Sequence, residues 1–305
     1  MKPYAVIDIG TNTFHLLIAA KDEGAFIQEL YRDSRFVKLA EAGIERIGPA
    51  PYQRGLDTLA QFRQVLDEYG IPAERVAALG TAALRTAANG PAFVRQSWEQ
   101  HGIAIQLIDG EREAQLIYQG VILAVPPSEA PMLIMDIGGG SVEFIIADQQ
   151  GLHWAQSFPI GVAVLYRQFH RAEPITDAEM DALRHFLSQT LAPLRQALQR
   201  FPCSRLAGAS GTFDVLAGII GRPGSNGLHV WADPQDFFPL YHQVRRLTPE
   251  QRHAFPGIAP ERADMIVVAL ILLEVVIEMA GIQQIAASQY AMKEGMLYEM
   301  VSARD

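Results

Sequence analysis

Two segments of the chain, DIGTNTFHLLIA from Asp8 and DIGGGSVEFIIA from Asp136, align without a gap. Asp8 falls on Asp136, Gly10 on Gly138, Thr13 on Ser141 and Ala19 on Ala147, with apolar residues on both flanks. Each copy is an apolar run ending in Asp, a small-residue turn and a second apolar run. Glycine removes the Cβ atom, so a backbone can bend tightly and its N–H groups can converge on phosphate oxygens. A hydroxyl from Thr13 or Ser141 adds one more donor. An acid beside a phosphate makes sense when it holds Mg²⁺, directly or through water, because that ion keeps waters and takes carboxylates together with phosphate. An ordinary hairpin that needs glycine for its turn is the plainer use. Three consecutive glycines (Gly138, Gly139 and Gly140), a repeated Asp and a third small-residue turn favour phosphate. That third turn is GASGT, Gly208 to Thr212, between an apolar strand and a helix start, where an anion site and close core packing are both served.

Acids and a base flank these turns. IDGEREAQL puts Glu111 and Glu113 at a strand-to-helix junction, where active-site side chains are often presented and where glutamates also suit the helix dipole. Glu143 lies on the strand leaving the glycine turn, at the place where the first copy has His15, and could serve as a metal ligand or a base. Arg85, in GTAALRTA, follows another strand end; its planar fork suits a phosphate oxygen or a surface carboxylate. The eight histidines show no metal-type clustering, and HExxH, CxxC and Walker A patterns are missing. Ser210 sits in GASGT rather than GxSxG, which argues against a serine hydrolase.

The elements that must carry these residues alternate between strand and helix, which predicts an α/β fold. Strands are expected around Tyr4–Ile7 and Phe14–Ala19, then a helix from Tyr52 to Tyr69 with Leu56, Leu59, Phe62, Leu66 and Tyr69 on one face and Gly70 and Pro72 as its stop. Strand VAAL leads into GTAALRTAANG, and strand IAIQLI into a helix over DGEREAQLIYQGVILA. PPSEAP reads as a loop into the second half, which opens on MLIM, the glycine turn and EFIIA. Thr176 and Glu179 have capping-box spacing, predicting one long helix through ITDAEMDALRHFLSQTLAPLRQALQRF with a bend at Pro193. The last helices are expected to start near Pro260 and near Ser288. Because each copy of the repeat opens one half of the chain, the reading is of a duplicated unit, with two halves facing each other across a cleft.

Size and composition set limits. The 305 residues suffice for two ordinary domains, and 49% hydrophobic content predicts packed cores. A net charge of -9 argues against non-specific binding to nucleic acid or to an anionic membrane, though not against an anionic small molecule. The lone Cys203 excludes an internal disulfide, and with no secretory leader a cytoplasmic setting is expected. Asp8, Asn12 and His15 interrupt the apolar N-terminus, and Glu274 and Glu278 interrupt MIVVALILLEVVIEMAG, so no membrane span is expected. A homodimer is the default expectation for assembly.

Taken together and in order, VIDIGTNTFHLLIA, ALGTAALRTA, IDGEREAQLIYQGV, DIGGGSVEF, FPIGVAVL, AGASGTFDVLAGI, ERADMIVVALILLE and SQYAMKEGML resemble the exopolyphosphatase/guanosine pentaphosphate phosphohydrolase family of the actin-like, Hsp70 and sugar-kinase superfamily. The resemblance covers nearly the whole chain. It implies two ribonuclease H-like domains around a cleft, here over residues 1–119 and 120–290, with a C-terminal helix over 291–305 returning to the first. It implies that Glu113 orients or deprotonates the attacking water, and that Asp136 and Glu143 organise Mg²⁺ and that water. Asp8 with Gly10, Thr11, Asn12 and Thr13, Gly138 to Ser141, and Gly211 with Thr212 match the phosphate-holding turns, and Arg85 matches the phosphate-contacting arginine. The implied activity is Mg²⁺-dependent removal of a terminal phosphate from polyphosphate or from guanosine pentaphosphate. A kinase of the same superfamily and a non-catalytic sensor would carry the same turns. Two departures stand out. Lys293 in AMKEG occupies the place of an Arg in the usual ALREG, keeping charge and losing bidentate geometry. The chain also ends at Asp305, without the C-terminal helical domains of long members, which makes processive action on long polymers less expected.

Overall fold

The computed structural model describes residues 2–21 and 27–302. Contacts divide the chain into two compact units. The first takes the chain up to Gly120, Gly138–Gly140 and the residues from Met292 onward; the second takes Val121–Ile137 and Ser141–Ala291.

In the first unit, apolar runs on either side of the DIGTNT turn form β1 (Tyr4–Ile9) and β2 (Thr13–Lys21), followed by β3 (Ile27–Phe36). They make an antiparallel meander. β3 is the edge, and it carries exposed charges such as Glu29, Arg32 and Arg35, which guard an open strand against pairing with another chain. Helix α1 (Pro49–Glu68) buries Leu56, Leu59, Phe62 and Leu66 as expected, while Tyr69 lies just past its end and is exposed. Gly70 then takes φ +62°, the left-handed conformation that ends a helix most easily with glycine. After β4 (Val76–Gly80) come α2 (Ala82–Thr86), α3 (Gly90–His101), β5 (Ile105–Leu107) and α4 (Gly110–Ala124). The sheet order is β3-β2-β1-β4-β5, with β1, β4 and β5 parallel.

The second unit repeats that plan. β6 (Met132–Ile137), β7 (Val142–Asp148) and β8 (Gly151–Phe158) form the meander. Next come α5 (Val162–Phe169), α6 (Asp177–Thr190), α7 (Ala192–Arg200) and β9 (Arg205–Ala209). The single bent helix expected over this stretch is therefore two. Pro193 has no N–H to give and crowds the preceding turn, so the chain stops at Leu191 and restarts with the proline in the first turn of α7. Helix α8 (Gly211–Ile220) is followed by β10 (Arg222–Pro223), β11 (His229–Ala232), α9 (Pro234–Val244), α10 (Pro249–His253), α11 (Pro260–Ala263), α12 (Ile266–Ala280) and β12 (Gln284–Ser288). The sheet runs β10-β11-β12-β9-β6-β7-β8, so β8-β7-β6-β9-β12 repeats the first unit's order strand for strand.

Helix α12 is apolar on every side because it is packed against α5, α6 and α9. Its one deeply buried acid, Glu274, accepts from Arg184 Nε and Nη2 of α6 at 3.0 and 3.2 Å, and the same guanidinium reaches the Tyr241 hydroxyl at 2.7 Å. Burial pushes that phenol up to about 12. Among the described residues no helix is long and apolar enough to cross a membrane. Ser288 ends a strand, not the loop before a helix: QIAAS joins the middle of the sheet, and the last helix, α13 (Met292–Ser302), starts later. Residues 303–305, part of the helix expected there, lie outside the described residues.

Candidate active site

The residues picked out in the first unit gather at the carboxyl ends of β1, β4 and β5, where parallel strands deliver their loops together. Asp8 is the second-last residue of β1. In the turn that follows, Gly10 N–H donates to Thr13 C=O at 3.1 Å, and a Cβ on Gly10 would stand 2.9 Å from that oxygen, so glycine is needed. β4 runs beside β1 with Ile9 opposite Gly80, and Thr81 N–H reaches Ile9 C=O. This sets the start of GTAALR against DIGTNT. β5 follows beside β4, and Asp109 then caps α4 by accepting from Arg112 N–H at 2.8 Å. Glu113 is thus fixed in the first helical turn. It is 8% exposed, whereas Glu111 points to solvent, which separates two acids that the sequence left side by side. Arg85 Nη1 lies 3.6 Å from Glu113 Oε2 and also donates to Ile108 C=O. The arginine is therefore anchored beside the buried acid.

Two further features of this unit were not foreseen. The segment after β3 lies on the DIGTNT turn, with Val37 and Lys38 N–H donating to Asn12 C=O and Leu39 N–H to Thr11 C=O. Lys38 is held there at φ +51°, a conformation that costs a lysine energy. Gly139 and Gly140 also belong to this unit: a Cβ on either would come within 2.7 Å of Asn12 Cγ or Thr11 Oγ1 respectively, so a side chain there would displace its neighbour. No sequence pattern signals backbone contacts of this kind.

In the second unit Asp136 stands directly opposite Glu143 on neighbouring strands, and Glu143 stands opposite Ser157. Cross-strand partners put their side chains on one face of the sheet. Asp136 is 9% exposed and Glu143 1%, and Ser157 Oγ donates to Glu143 Oε1 at 2.6 Å. Two carboxylates in register are a pair that could share a cation. Among the described residues no three metal-type side chains cluster. Two carboxylates with the remaining positions filled by water and phosphate suit Mg²⁺ better than a metal that needs a full protein cage.

β9 runs parallel to β6 with Ala209 opposite Asp136, so the GASGT turn emerges beside the DIGGGS turn. Ser210, at φ +69°, donates through Oγ to Ile137 C=O at 3.0 Å and ties the two turns together. Gly211 and Thr212 open α8, and Ser141 and Thr212 are both buried. Arg262, passed over in the sequence, lies across Gly211: a Cβ there would fall 1.0 Å from its Nη1. Burial lowers the guanidinium from its ordinary value, opposed by Asp214 at 3.5 Å. ERADM gives no hint of this, because the approach is made by tertiary packing far along the chain. Lys293 is placed with less ambiguity than its motif allowed. Its Nζ is 3.6 Å from Glu294, a carboxylate with no exposed surface that also accepts from Arg32 Nη2 at 2.9 Å.

The model of the Ppx/GppA phosphatase family matches residues 17–304. A guanosine-5'-triphosphate,3'-diphosphate pyrophosphatase of Photobacterium profundum is 32% identical over 302 residues, 98% of this chain; the chain spans 59% of that relative's length. The crystal structure of an exopolyphosphatase from Cytophaga hutchinsonii superposes with a TM-score of 0.93 at 36% identity, covering 99% of this chain and 98% of the other. An Aquifex aeolicus member of the Ppx/GppA protein family has the same fold, with a TM-score of 0.81 at 21% identity over 100% and 99% of the two chains. This chain, built from two ribonuclease H-like α/β domains, belongs to the Ppx/GppA phosphatase family.

Proposed function

We propose that the protein is a Mg²⁺-dependent phosphohydrolase that removes the terminal phosphate of inorganic polyphosphate by attack of water. The observation that carries this reading is Glu113: a buried acid in a capped first helical turn, with Arg85 beside it, at the carboxyl end of a parallel strand. An adjacent guanidinium suits the ionised carboxylate, the form that can take a proton from water. Support for the substrate class comes from the exopolyphosphatase that matches nearly end to end.

In the proposed reaction Glu113 orients a water molecule and receives its proton as the oxygen attacks phosphorus in line. Arg85, Thr13, Ser141, Thr212 and the N–H groups of the DIGTNT, DIGGGS and GASGT turns hold the phosphate oxygens. Phosphoryl transfer depends chiefly on such positioning and charge neutralisation. Asp136 and Glu143 would hold Mg²⁺, which when bound supplies positive charge to the phosphate oxygens. Arg262 adds a cation at the GASGT turn. A second reading, hydrolysis of the 5′-terminal phosphate of guanosine pentaphosphate, is favoured by the name of the Photobacterium relative.

Replacing Glu113 by Gln is expected to keep the fold and substrate binding while lowering turnover on the order of 10²–10⁴-fold. Phosphate release at the normal rate by the folded variant would refute the assignment. Release measured with Mg²⁺ on short and long polyphosphate, guanosine pentaphosphate and ATP ranks the two substrates. Transfer of phosphate to an acceptor, with ADP accumulating only when that acceptor is present, would identify a kinase, and binding without release a sensor. Chelation by EDTA should abolish release and added Mg²⁺ restore it.

A further inference from the structure

Helix α13 touches the helix that carries Glu113 at two places within the first unit. Arg112, the residue before Glu113, gives both Nη atoms to Glu299: Nη1 donates to Oε1 at 2.8 Å, and Nη2 to Oε2. That hydrogen-bonded pairing holds the Glu299 carboxyl below its ordinary value. The second contact is closer. Gly295 packs on the backbone of α4, and a Cβ there would lie 1.9 Å from Leu116 C=O and 3.1 Å from Gly120 N. Leu116 is three residues, almost one turn, beyond Glu113. Helix α13 is itself anchored, packing along β1 and β2 and fixed to β3 by the pairing of its buried Glu294 with Arg32.

These contacts do more than join two helices. Gly295 sets how closely α4 approaches an element bound to the sheet, and Glu299 sets how its first turn is rotated. We propose that Gly295 and Glu299 are positioning residues for Glu113. The proposal rests on Glu113 acting as the base. It also gives the AMKEG motif a function: the buried Glu294 anchors α13, and the following glycine locates the turn that bears the acid.

A side chain at position 295 must move the helices apart. Cβ atoms keep 3.0 Å or more from other heavy atoms, so the required shift is about 3.0 − 1.9 = 1.1 Å. A misplacement of about 1 Å at a reacting group can cost on the order of 10²-fold in rate. Gly295→Ala is therefore expected to lower kcat by on the order of 10²-fold, with KM changed by less than about 3-fold, because the phosphate-holding turns are untouched. Glu299→Gln is expected to lower kcat about 10-fold while leaving the melting temperature nearly unchanged, since a partly exposed ion pair adds little stability.

The deciding measurement is a double-mutant cycle on phosphate release from polyphosphate. If the two residues act through Glu113, Gly295→Ala or Glu299→Gln adds no further loss once Glu113 is Gln. A full additional loss in that background overturns the proposal, as does normal kcat in both single variants while Glu113→Gln is inactive. Should Gly295→Ala fail to fold, the Glu299→Gln cycle decides alone. Normal turnover by Glu113→Gln would instead strike at the general-base reading, and the proposal would fall with it.

Discussion

In the hairpin of β1 and β2, Asp8 stands opposite His15 and His15 opposite Ser34; in the hairpin of β6 and β7, Asp136 stands opposite Glu143 and Glu143 opposite Ser157. The serine serves the middle residue in both, with Ser34 Oγ 2.7 Å from His15 Nδ1 and Ser157 Oγ 2.6 Å from Glu143 Oε1. The duplication thus reaches a third strand, and the chemical change is confined to the central side chain. Its consequence is electrostatic. Two carboxylates about 5 Å apart in a partly screened interior repel by about 3 kcal/mol, whereas a carboxylate facing an imidazole does not. On the proposed function, a divalent cation would therefore be held by the second hairpin rather than the first. In the proposed reaction two turns of common design would then divide the work: one would hold phosphate through its backbone, the other would also manage charge.

That division can be broken by exchanging demands between the hairpins. Glu143→Gln should remove the reason for a cation, with phosphate release falling on the order of 10²–10³-fold and added Mg²⁺ failing to restore it. His15→Gln should lower release by less than about 10-fold and leave the Mg²⁺ requirement where it was. If both variants shifted the Mg²⁺ titration equally, the two hairpins would be doing the same job. The serines offer a smaller version of the test. Ser157→Ala removes a hydrogen bond to a proposed metal-holding carboxylate and should raise the half-saturating Mg²⁺ concentration about 10-fold. Ser34→Ala, which touches only the imidazole, should not move it.

How far these contrasts could be read beforehand depends on whether the signal is local. The Asp–turn–strand copies, the strand-to-helix junction at the start of α4 and the apolar α12 are written in consecutive residues, and all appear in the structure. The serine partners were invisible, because RDSRF and AQSF are polar edge strands whose register is set by neighbours. β12 was missed because QIAAS is short and apolar, without an alternation to distinguish it from the start of a helix. Arg262 over Gly211 and Gly295 against Leu116 are products of packing between distant segments. Both still left a trace in composition, since each contact depends on a glycine.

The third-to-fourth strand crossovers differ as well, and here the expected effect is smallest. In the first unit α1 starts at Gly48 without a side-chain cap, relying on prolines in its first turn. In the second, α6 starts with a full capping box: Glu179 N–H donates to Thr176 Oγ1, and the Glu179 carboxylate accepts from the N–H groups of Arg171, Ala172 and Thr176. Those backbone donors, Thr176 first, hold Glu179 down at about 2 against an ordinary 4.5. Because the folded value is depressed, the carboxylate's contribution is complete above about 4.5 and is lost as pH falls through about 2. Amide protection over residues 171–180 should drop across that interval, while the start of α1, which has no titrating cap, should not respond. Thr176→Ala should cost about 1 kcal/mol at neutral pH and flatten the acid response, since half of the box is gone. An unchanged acid response in that variant would show that Glu179 holds the 171–176 loop without Thr176, and would transfer the cap's function from the helix end to the loop before it.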